Sequence, residues 1–241
     1  MSGHSKWAQI KHQKAGTDAK RGTLFSKLSR IIMVAARDGG GDPSMNIKLR
    51  QAIEQAREAG APKDTIERAI ERATGGGTDA AALRSFEYEA YGPGGSAFLI
   101  SGLTDSQNRT TNEIKRILLD HGGRLAASGS VLWMFERKVA FALPLPPDDE
   151  RDAFDLMLID GGADAIEADA EALHALVRPD HAAAFAEHLT ARGIAPLRSA
   201  LTAVPKTPIT LGPEDAAKTD ALARALEDQD DVTDVWVNGD A

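Results

Sequence analysis

Eight lysine and arginine side chains lie within the first 37 residues, and their shared chemistry is the neutralisation of phosphate. One acidic residue, Asp18, accompanies them, so this stretch has a formal charge of +7, whereas the whole chain of 241 residues has a net charge of −8. Charge of one sign in one segment indicates a polyanionic partner, because charges that only maintain solubility are mixed in sign. The basic residues are Lys6, Lys11, Lys14, Lys20, Arg21, Lys27, Arg30 and Arg37.

The first half of this segment, residues 1–16, shows no helical or strand period, and we interpret it as a basic arm. Trp7 lies among its charges, and an indole ring can stack on a base when neighbouring lysines bind phosphates. The alternative is a solvated charged face, which is the usual explanation for a run of charge. We favour contact with nucleic acid, because the charges continue from the arm onto one face of a helix.

That helix is predicted from Thr17 to Asp38. Its apolar residues recur at steps of three and four, and at 100° per residue four basic side chains fall on the opposite side. Gly39, Gly40 and Gly41 end the helix. The apolar residues are Leu24, Leu28, Ile31, Ile32 and Ala35, and the basic ones are Lys20, Lys27, Arg30 and Arg37.

Two further helices, over residues 46–59 and from Pro62 onward, complete a predicted three-helix domain. The period then changes, and residues 86–91 and 97–103 are predicted strands joined by a Gly-Pro-Gly-Gly turn. A helix is predicted over residues 108–121, where Thr110 and Glu113 have the spacing of a capping box. Residues 131–135 resemble a strand. In the middle helix, Arg109 and Arg116 share a polar face, and they either extend the binding surface or are ordinary solvated charges.

The order of elements over residues 139–203 is strand, helix, strand, strand, helix, strand, a split β-α-β arrangement. The tail, residues 204–241, supplies a strand over residues 204–211, a helix after Pro213 and a strand over residues 232–237, which should complete the sheet of the middle segment. We therefore predict an α+β protein with a three-helix N-terminal domain and two ferredoxin-like α+β domains, the third inserted in the second. The predicted boundaries are 1–16 for the arm, 17–82 for the helical domain, 83–138 plus 204–241 for the second domain, and 139–203 for the insert.

No arrangement of residues suited to catalysis emerges. Cysteine is absent, and neither a Gly-x-Ser-x-Gly elbow nor a Walker loop occurs. The six histidines are scattered and are interpreted as ordinary surface residues. The Asp228–Asp231 segment lacks the spacing of a calcium loop and is interpreted as solvated charge at a helix end. We therefore predict no enzyme, no catalytic residue, no cofactor, no metal and no small-molecule substrate.

No run of about 18 apolar residues is present, so no membrane partner is predicted. The basic N-terminal segment is not followed by an apolar stretch, so it is not predicted to be a secretory signal. A cytoplasmic protein is expected. Its charge is unevenly distributed, since residues 139–241 hold seven basic and twenty-one acidic groups, a net of −14.

Several motifs resemble those of the YebC family of probable transcriptional regulators, which has a mitochondrial branch of translational activators. The N-terminal motifs are Gly3-His4-Ser5-Lys6-Trp7, Ile10-Lys11-His12, Asp18-Ala19-Lys20-Arg21-Gly22 and Ala35-Ala36-Arg37 with Gly39-Gly40-Gly41-Asp42-Pro43. Further matches are Asp64-Thr65-Ile66-Glu67-Arg68-Ala69-Ile70, Tyr88-Glu89, Tyr91-Gly92-Pro93-Gly94-Gly95, Asn108-Arg109-Thr110 and the closing Asp231-Val232. The family often has Asn and Gly where this chain has Arg124 and Ala126.

The resemblance covers essentially the whole chain, and it implies the same three domains with the third inserted in the second. It also implies a protein without catalytic activity whose basic N-terminal residues bind nucleic acid. Three hypotheses for function remain open. These are a DNA-binding transcriptional regulator, a ribosome-associated translation factor that binds ribosomal RNA and relieves stalled synthesis, and a scaffold whose arm binds an acidic protein.

Overall fold

A computed structural model of the chain describes residues 18–75 and 83–240. The chain divides into two compact units, of which one runs to Trp133 and resumes at Pro208, and the other is Met134–Thr207. The predicted arm at residues 1–16 lies outside the described residues. The division of the chain into three domains with the boundaries given above stays a prediction.

Three helices open the first unit: α1 (Asp18–Gly39), α2 (Ile47–Glu58) and α3 (Lys63–Thr74). Asn46 connects two of them, because its side chain accepts the N–H of Leu49 at 3.1 Å to cap α2 and donates to the Ala35 carbonyl of α1 at 2.8 Å. The apolar faces of the three helices form one core, whose buried members include Leu28, Ile32, Leu49, Ala56 and Ile66.

A four-stranded antiparallel sheet follows in the same unit. Its strands are β1 (Arg84–Tyr91), β2 (Ala97–Thr104), β3 (Arg124–Leu125) and β9 (Val232–Val237), in the order β3-β1-β2-β9. As the sequence predicts, the tail completes this sheet, because β9 pairs with β2. Helices α4 (Gln107–Asp120) and α7 (Pro213–Glu227) contribute to its core. The core includes Phe86, Phe98, Ile114, Leu118, Leu222 and Leu226.

The second unit contains the predicted split β-α-β arrangement. In chain order its elements are β4 (Phe135–Leu143), α5 (Arg151–Asp160), β5 (Ala163–Ala168), β6 (Leu173–Val177), α6 (Ala182–Thr190) and β7 (Arg198–Pro205). The sheet order is β5-β6-β4-β7, and all of its pairs are antiparallel. Mixed helix and sheet are therefore confirmed, with a helical region first and antiparallel sheets after it.

Residues 131–135 do not form the predicted strand. Leu132–Met134 is a 3-10 turn, and β4 begins only at Phe135. The cause is Glu89 on β1, whose buried carboxylate accepts the backbone N–H groups of Val131 and Leu132. Those two donors are therefore not available to pair with a neighbouring strand.

Two other local predictions are wrong. The N-cap of α4 is Ser106. Thr110, the predicted partner of Glu113 in a capping box, lies inside the helix, with its hydroxyl oxygen 3.1 Å from the Ser106 carbonyl oxygen. The predicted strand over residues 204–211 is divided between the end of β7 and the short β8 (Ile209–Thr210), which pairs in parallel with β10 (Gly239–Asp240). Within the described ranges, no helix combines the length and the apolar character needed to cross a membrane.

Candidate nucleic-acid interface

The basic side of α1 contacts the protein itself over much of its described length. Lys27 donates to the backbone carbonyl of Glu227 at the end of α7. Arg37 donates to the Leu83 carbonyl, just before β1, at 2.8 Å. Lys27 thus connects α1 to the end of α7, and Arg37 connects α1 to the residue before β1, so both side chains position α1.

Arg30 has the most extensive of these contacts. Its guanidinium donates to the Asp230 carbonyl at 2.6 Å and to the Asp231 carboxylate at 2.9 Å. Asp231 is only 2% exposed, so this ion pair is largely withdrawn from water. The interpretation of Asp228–Asp231 as solvated charge is therefore wrong for Asp231.

Asp231 is the centre of a hydrogen-bond network. Its second carboxylate oxygen accepts from the Thr110 hydroxyl at 2.6 Å, from Arg109 at 2.9 Å and from the Thr104 hydroxyl at 3.2 Å. Burial alone would raise the pKa of Asp231, but the hydrogen bonds from Thr110 and Arg109, together with the positive charges of Arg30 and Arg109, hold the pKa below its usual value. The network thus brings Arg30 and Arg109 together on one carboxylate.

The contact between Lys27 and α7 places two titratable groups in a half-buried site. Burial lowers the pKa of Lys27, against the opposing effect of the Asp230, Asp228 and Glu227 carboxylates. Burial also raises the pKa of Glu227 to about 7, although the Lys27 charge acts in the opposite direction. Glu227 is therefore sensitive to pH near neutrality.

Glu227 is expected to make stability fall as pH rises toward neutrality. The folded pKa of about 7 exceeds the ordinary value of 4.5, so the folded protein retains a proton that the unfolded chain has released. That stabilisation is complete below the unfolded pKa and is lost as pH rises through the folded pKa. Glu227→Gln has no carboxyl group at this position to titrate. The free energy of unfolding of the variant, minus that of the wild type, should therefore increase by about 1–2 kcal/mol from about pH 5 to pH 8.

Urea unfolding over this pH range checks the expectation. Glu214→Gln, on the exposed first turn of the same helix, is the matched control, and its stability should run parallel to that of the wild type across the range. A Glu227→Gln profile that also runs parallel to the wild type would contradict a raised pKa at Glu227.

The remaining predicted binding residues have different surroundings. Arg116 is 83% exposed and lies 3.7 Å from Asp120 on its own helix, a weak surface pair that leaves it accessible to phosphate. Arg109 is half exposed and bound to Asp105 and Asp231, each within 2.9 Å. Lys20 and Arg21 belong to α1, and their side chains lie outside what the structure describes. The same holds for the whole of Lys6, Trp7, Lys11 and Lys14.

The structure also revises the interpretation of the histidines. His174 on β6 is 2% exposed, so it is not a surface residue, and its Nε2 lies 3.2 Å from the Asp169 carboxylate. Burial lowers the pKa of His174 despite that neighbour. Among the residues that the structure describes, no cluster of three or more His, Asp or Glu side chains is arranged to hold a metal ion.

Sequence reasoning missed Glu89, Glu227 and Asp231 as positioning residues. The partners of Glu227 and Asp231 on α1 lie about two hundred positions away, as in the Arg30–Asp231 pair with a separation of 201. A local pattern contains no signal for a contact at that separation. A signal was present for Glu89 and Asp231, since both belong to motifs that resemble the YebC family.

Comparisons with known proteins agree on one family. The model of the TACO1/YebC N-terminal domain matches residues 5–76, and the model of the TACO1/YebC second and third domain matches residues 83–239. A probable transcriptional regulatory protein of Fervidobacterium nodosum is 46% identical over 100% of this chain and 94% of its own length. One of the same name from Kosmotoga olearia is 43% identical over 99% of this chain and 94% of its own.

A solved structure shows the same fold. The crystal structure of a conserved hypothetical protein from Aquifex aeolicus superposes with a TM-score of 0.84 and 39% identity, covering 98% of this chain and 96% of that one. The names of the relatives describe regulatory proteins rather than enzymes. With both domain models matched and relatives similar along their whole length, this chain belongs to the TACO1/YebC family.

Proposed function

We propose that this protein is a nucleic-acid-binding regulator of gene expression, and that its principal target is DNA. The observation that carries the proposal is its similarity, over essentially the whole chain, to proteins named probable transcriptional regulatory proteins. The uneven charge supports it, since the segment matched by the N-terminal domain model contains the basic residues. The proposal includes a cytoplasmic location. It includes neither an enzymatic activity nor a small-molecule substrate.

The contacts of α1 narrow the choice of phosphate-binding residues. Lys27, Arg30 and Arg37 are engaged within the first unit, so we assign them mainly to positioning. Residues 1–21 hold five basic groups and one acid, a net of +4, and we assign the principal phosphate contacts to them. The exposed Arg116 extends this surface. Contacts of this kind provide affinity with little readout of sequence.

Removal of two arm lysines should weaken binding and reduce its salt dependence. Each lysine that neutralises a phosphate releases about one counterion, so Lys11→Gln with Lys14→Gln should reduce the slope of log affinity against log salt by about two. At about 0.1 M salt the affinity for a duplex of about 20 base pairs should fall at least about tenfold. Fluorescence anisotropy at several salt concentrations measures both quantities.

The control for this experiment has the same change in charge. Lys63→Gln with Lys218→Gln removes two exposed lysines, each of which pairs with a glutamate on its own helix. This variant should keep the wild-type slope. A wild-type slope near zero would contradict the proposal and favour a scaffold that binds an acidic protein.

A second measurement separates the two nucleic-acid targets. Sedimentation of cell lysate through a sucrose gradient shows whether the protein travels with ribosomes, and crosslinking with sequencing identifies the bound nucleic acid. Enrichment of promoter DNA without ribosome association supports the transcriptional form. If the protein associates with ribosomes and the Lys11→Gln, Lys14→Gln variant does not, the target is ribosomal RNA and not DNA.

A further inference from the structure

A second surface of the first unit presents an exposed aromatic ring on a firmly held loop. We define the Trp133 loop as residues 126–133, which follow β3 and include the first two residues of the 3-10 turn. Trp133 at its end is 57% exposed, and the preceding tip, Ala127, Ser128 and Gly129, is exposed as well. Tryptophan is enriched among the residues that contribute most to binding at interfaces.

The loop is held from below by one carboxylate. Glu89 is 7% exposed, and its two oxygens accept the backbone N–H groups of Gly129, Val131 and Leu132, the last at 2.8 Å. The Glu89 carbonyl also accepts the N–H of Ala126 at 2.8 Å, at the start of the loop. Both ends of the Trp133 loop are therefore fixed to a single residue of β1.

The Trp133 ring itself is oriented. Its Nε1 donates to the Ser130 carbonyl at 2.9 Å, and the Tyr91 hydroxyl donates to the same oxygen at 3.1 Å. Because the only polar atom of the indole is already used inside the loop, its flat faces are what it can offer to a partner. A ring fixed in advance loses little conformational entropy on binding.

The exposed charge on the loop and on β3 favours an anionic partner, because the Glu89 carboxylate is buried beneath the loop and already accepts three N–H groups. Residues 121–135 contain no Asp or Glu, although the whole chain has 36 of them. The guanidinium of Arg124 lies over the Tyr91 ring, 5.3 Å from its centroid, and Arg124 is exposed. Tyr91 therefore lies under the Arg124 cation and shares the Ser130 carbonyl with the Trp133 indole. An aromatic ring that can stack on a base, with a cation nearby for the phosphate, is typical of sites that bind single strands.

We infer that the Trp133 loop binds unpaired nucleotides, with Trp133 stacking on a base and Arg124 contacting the backbone phosphate. An unpaired base has a free face, whereas a base inside a duplex is already stacked on both sides. The inference rests on the proposed function and adds a second contact, distinct from the basic N-terminal segment.

The test uses the full chain with Trp7→Phe, which leaves Trp133 and the buried Trp236 as the indoles. Addition of single-stranded oligo(U) of about 12 nucleotides should quench the exposed Trp133. Trp133→Ala in the same background should reduce affinity for oligo(U) by about 5- to 100-fold.

The slope of log affinity against log salt should not change in Trp133→Ala, because stacking releases no counterions. Arg124→Gln, by contrast, should reduce that slope by about one.

Met45→Ala is the control, since Met45 is an 82% exposed apolar residue in the turn between α1 and α2, and it should bind oligo(U) like the parent. Equal affinities for Trp133→Ala and the parent, with no quenching, would overturn the inference and leave the proposed function intact. An equal loss for oligo(U) and for a duplex of the same length would also overturn it. Failure of the parent to bind either probe would instead overturn the proposed function, and this inference with it.

Discussion

Asp231→Ala is expected to lower the free energy of unfolding by about 2–4 kcal/mol, because it removes the buried counterion that the partly exposed Arg30 and Arg109 share. Arg30 and Arg109 each lie 2.9 Å from the Asp231 carboxylate, which is almost fully buried. The Thr110 hydroxyl also loses its 2.6 Å acceptor. An uncompensated charge near the protein interior costs more than the original pair contributes. Urea unfolding at neutral pH measures the loss.

Asp105→Ala provides a matched control, because Asp105 also pairs with Arg109 at 2.8 Å but is 56% exposed. An exposed pair contributes about 0–1 kcal/mol, so this variant should remain close to the wild type. Equal effects of the two substitutions would show that burial of Asp231 does not determine the stability of the network.

Gly102→Ala is expected to have a comparable effect for a different reason, namely a lack of space. A Cβ atom on Gly102 would lie 2.0 Å from the Asp231 carbonyl oxygen and 2.6 Å from the Phe86 ring. The first contact is with backbone, so it is relieved only if β9 moves away from β2. We expect a loss of about 3 kcal/mol or more, at the upper end for overpacking. Thermal and urea unfolding both report it.

Gly22→Ala introduces the same methyl group where space is open, because no atom lies within 4 Å of a Cβ at Gly22. Gly22 lies inside α1, where alanine is preferred to glycine by about 0.8–1.0 kcal/mol. The two glycine substitutions should therefore change stability in opposite directions. A Gly102→Ala protein as stable as the wild type would mean that β2 and β9 are further apart than described.

Local sequence patterns predicted most elements of this fold, because local rules decide where they begin and end. Asn46, Gly60 and Pro62 mark the limits of α2 and α3, and the Gly-Pro-Gly-Gly turn joins β1 to β2. The alternation of elements was enough to predict the split β-α-β arrangement of the second unit. The strand prediction was wrong at residues 131–135. The apolar residues there favour a strand, but the Val131 N–H donates to the Glu89 side chain, which is 42 positions away in the sequence.

The candidate interface was predictable only in part. The periodicity of α1 correctly separates an apolar side from a basic side, but it contains no information about what the basic side meets. For Lys27 and Arg30 the answer is the end of α7 and the residues that follow it, at separations of 200 and 201. The structure of the Trp133 loop could not be predicted for the same reason. Its hydrogen bonds to Glu89 become visible only in the folded chain, where β1 and the loop are adjacent.

The network around Asp231 also has a consequence for synthesis on the ribosome. A nascent chain that has not reached Asp231 has made α1 with Arg30 still unpaired, and β2 has no neighbour on the side that β9 will occupy. The first unit can therefore finish folding only after the whole second unit has been made. Until Asp231 and β9 have been made, the growing polypeptide presents an unpaired cation and an open strand edge, which favours association between unfinished copies.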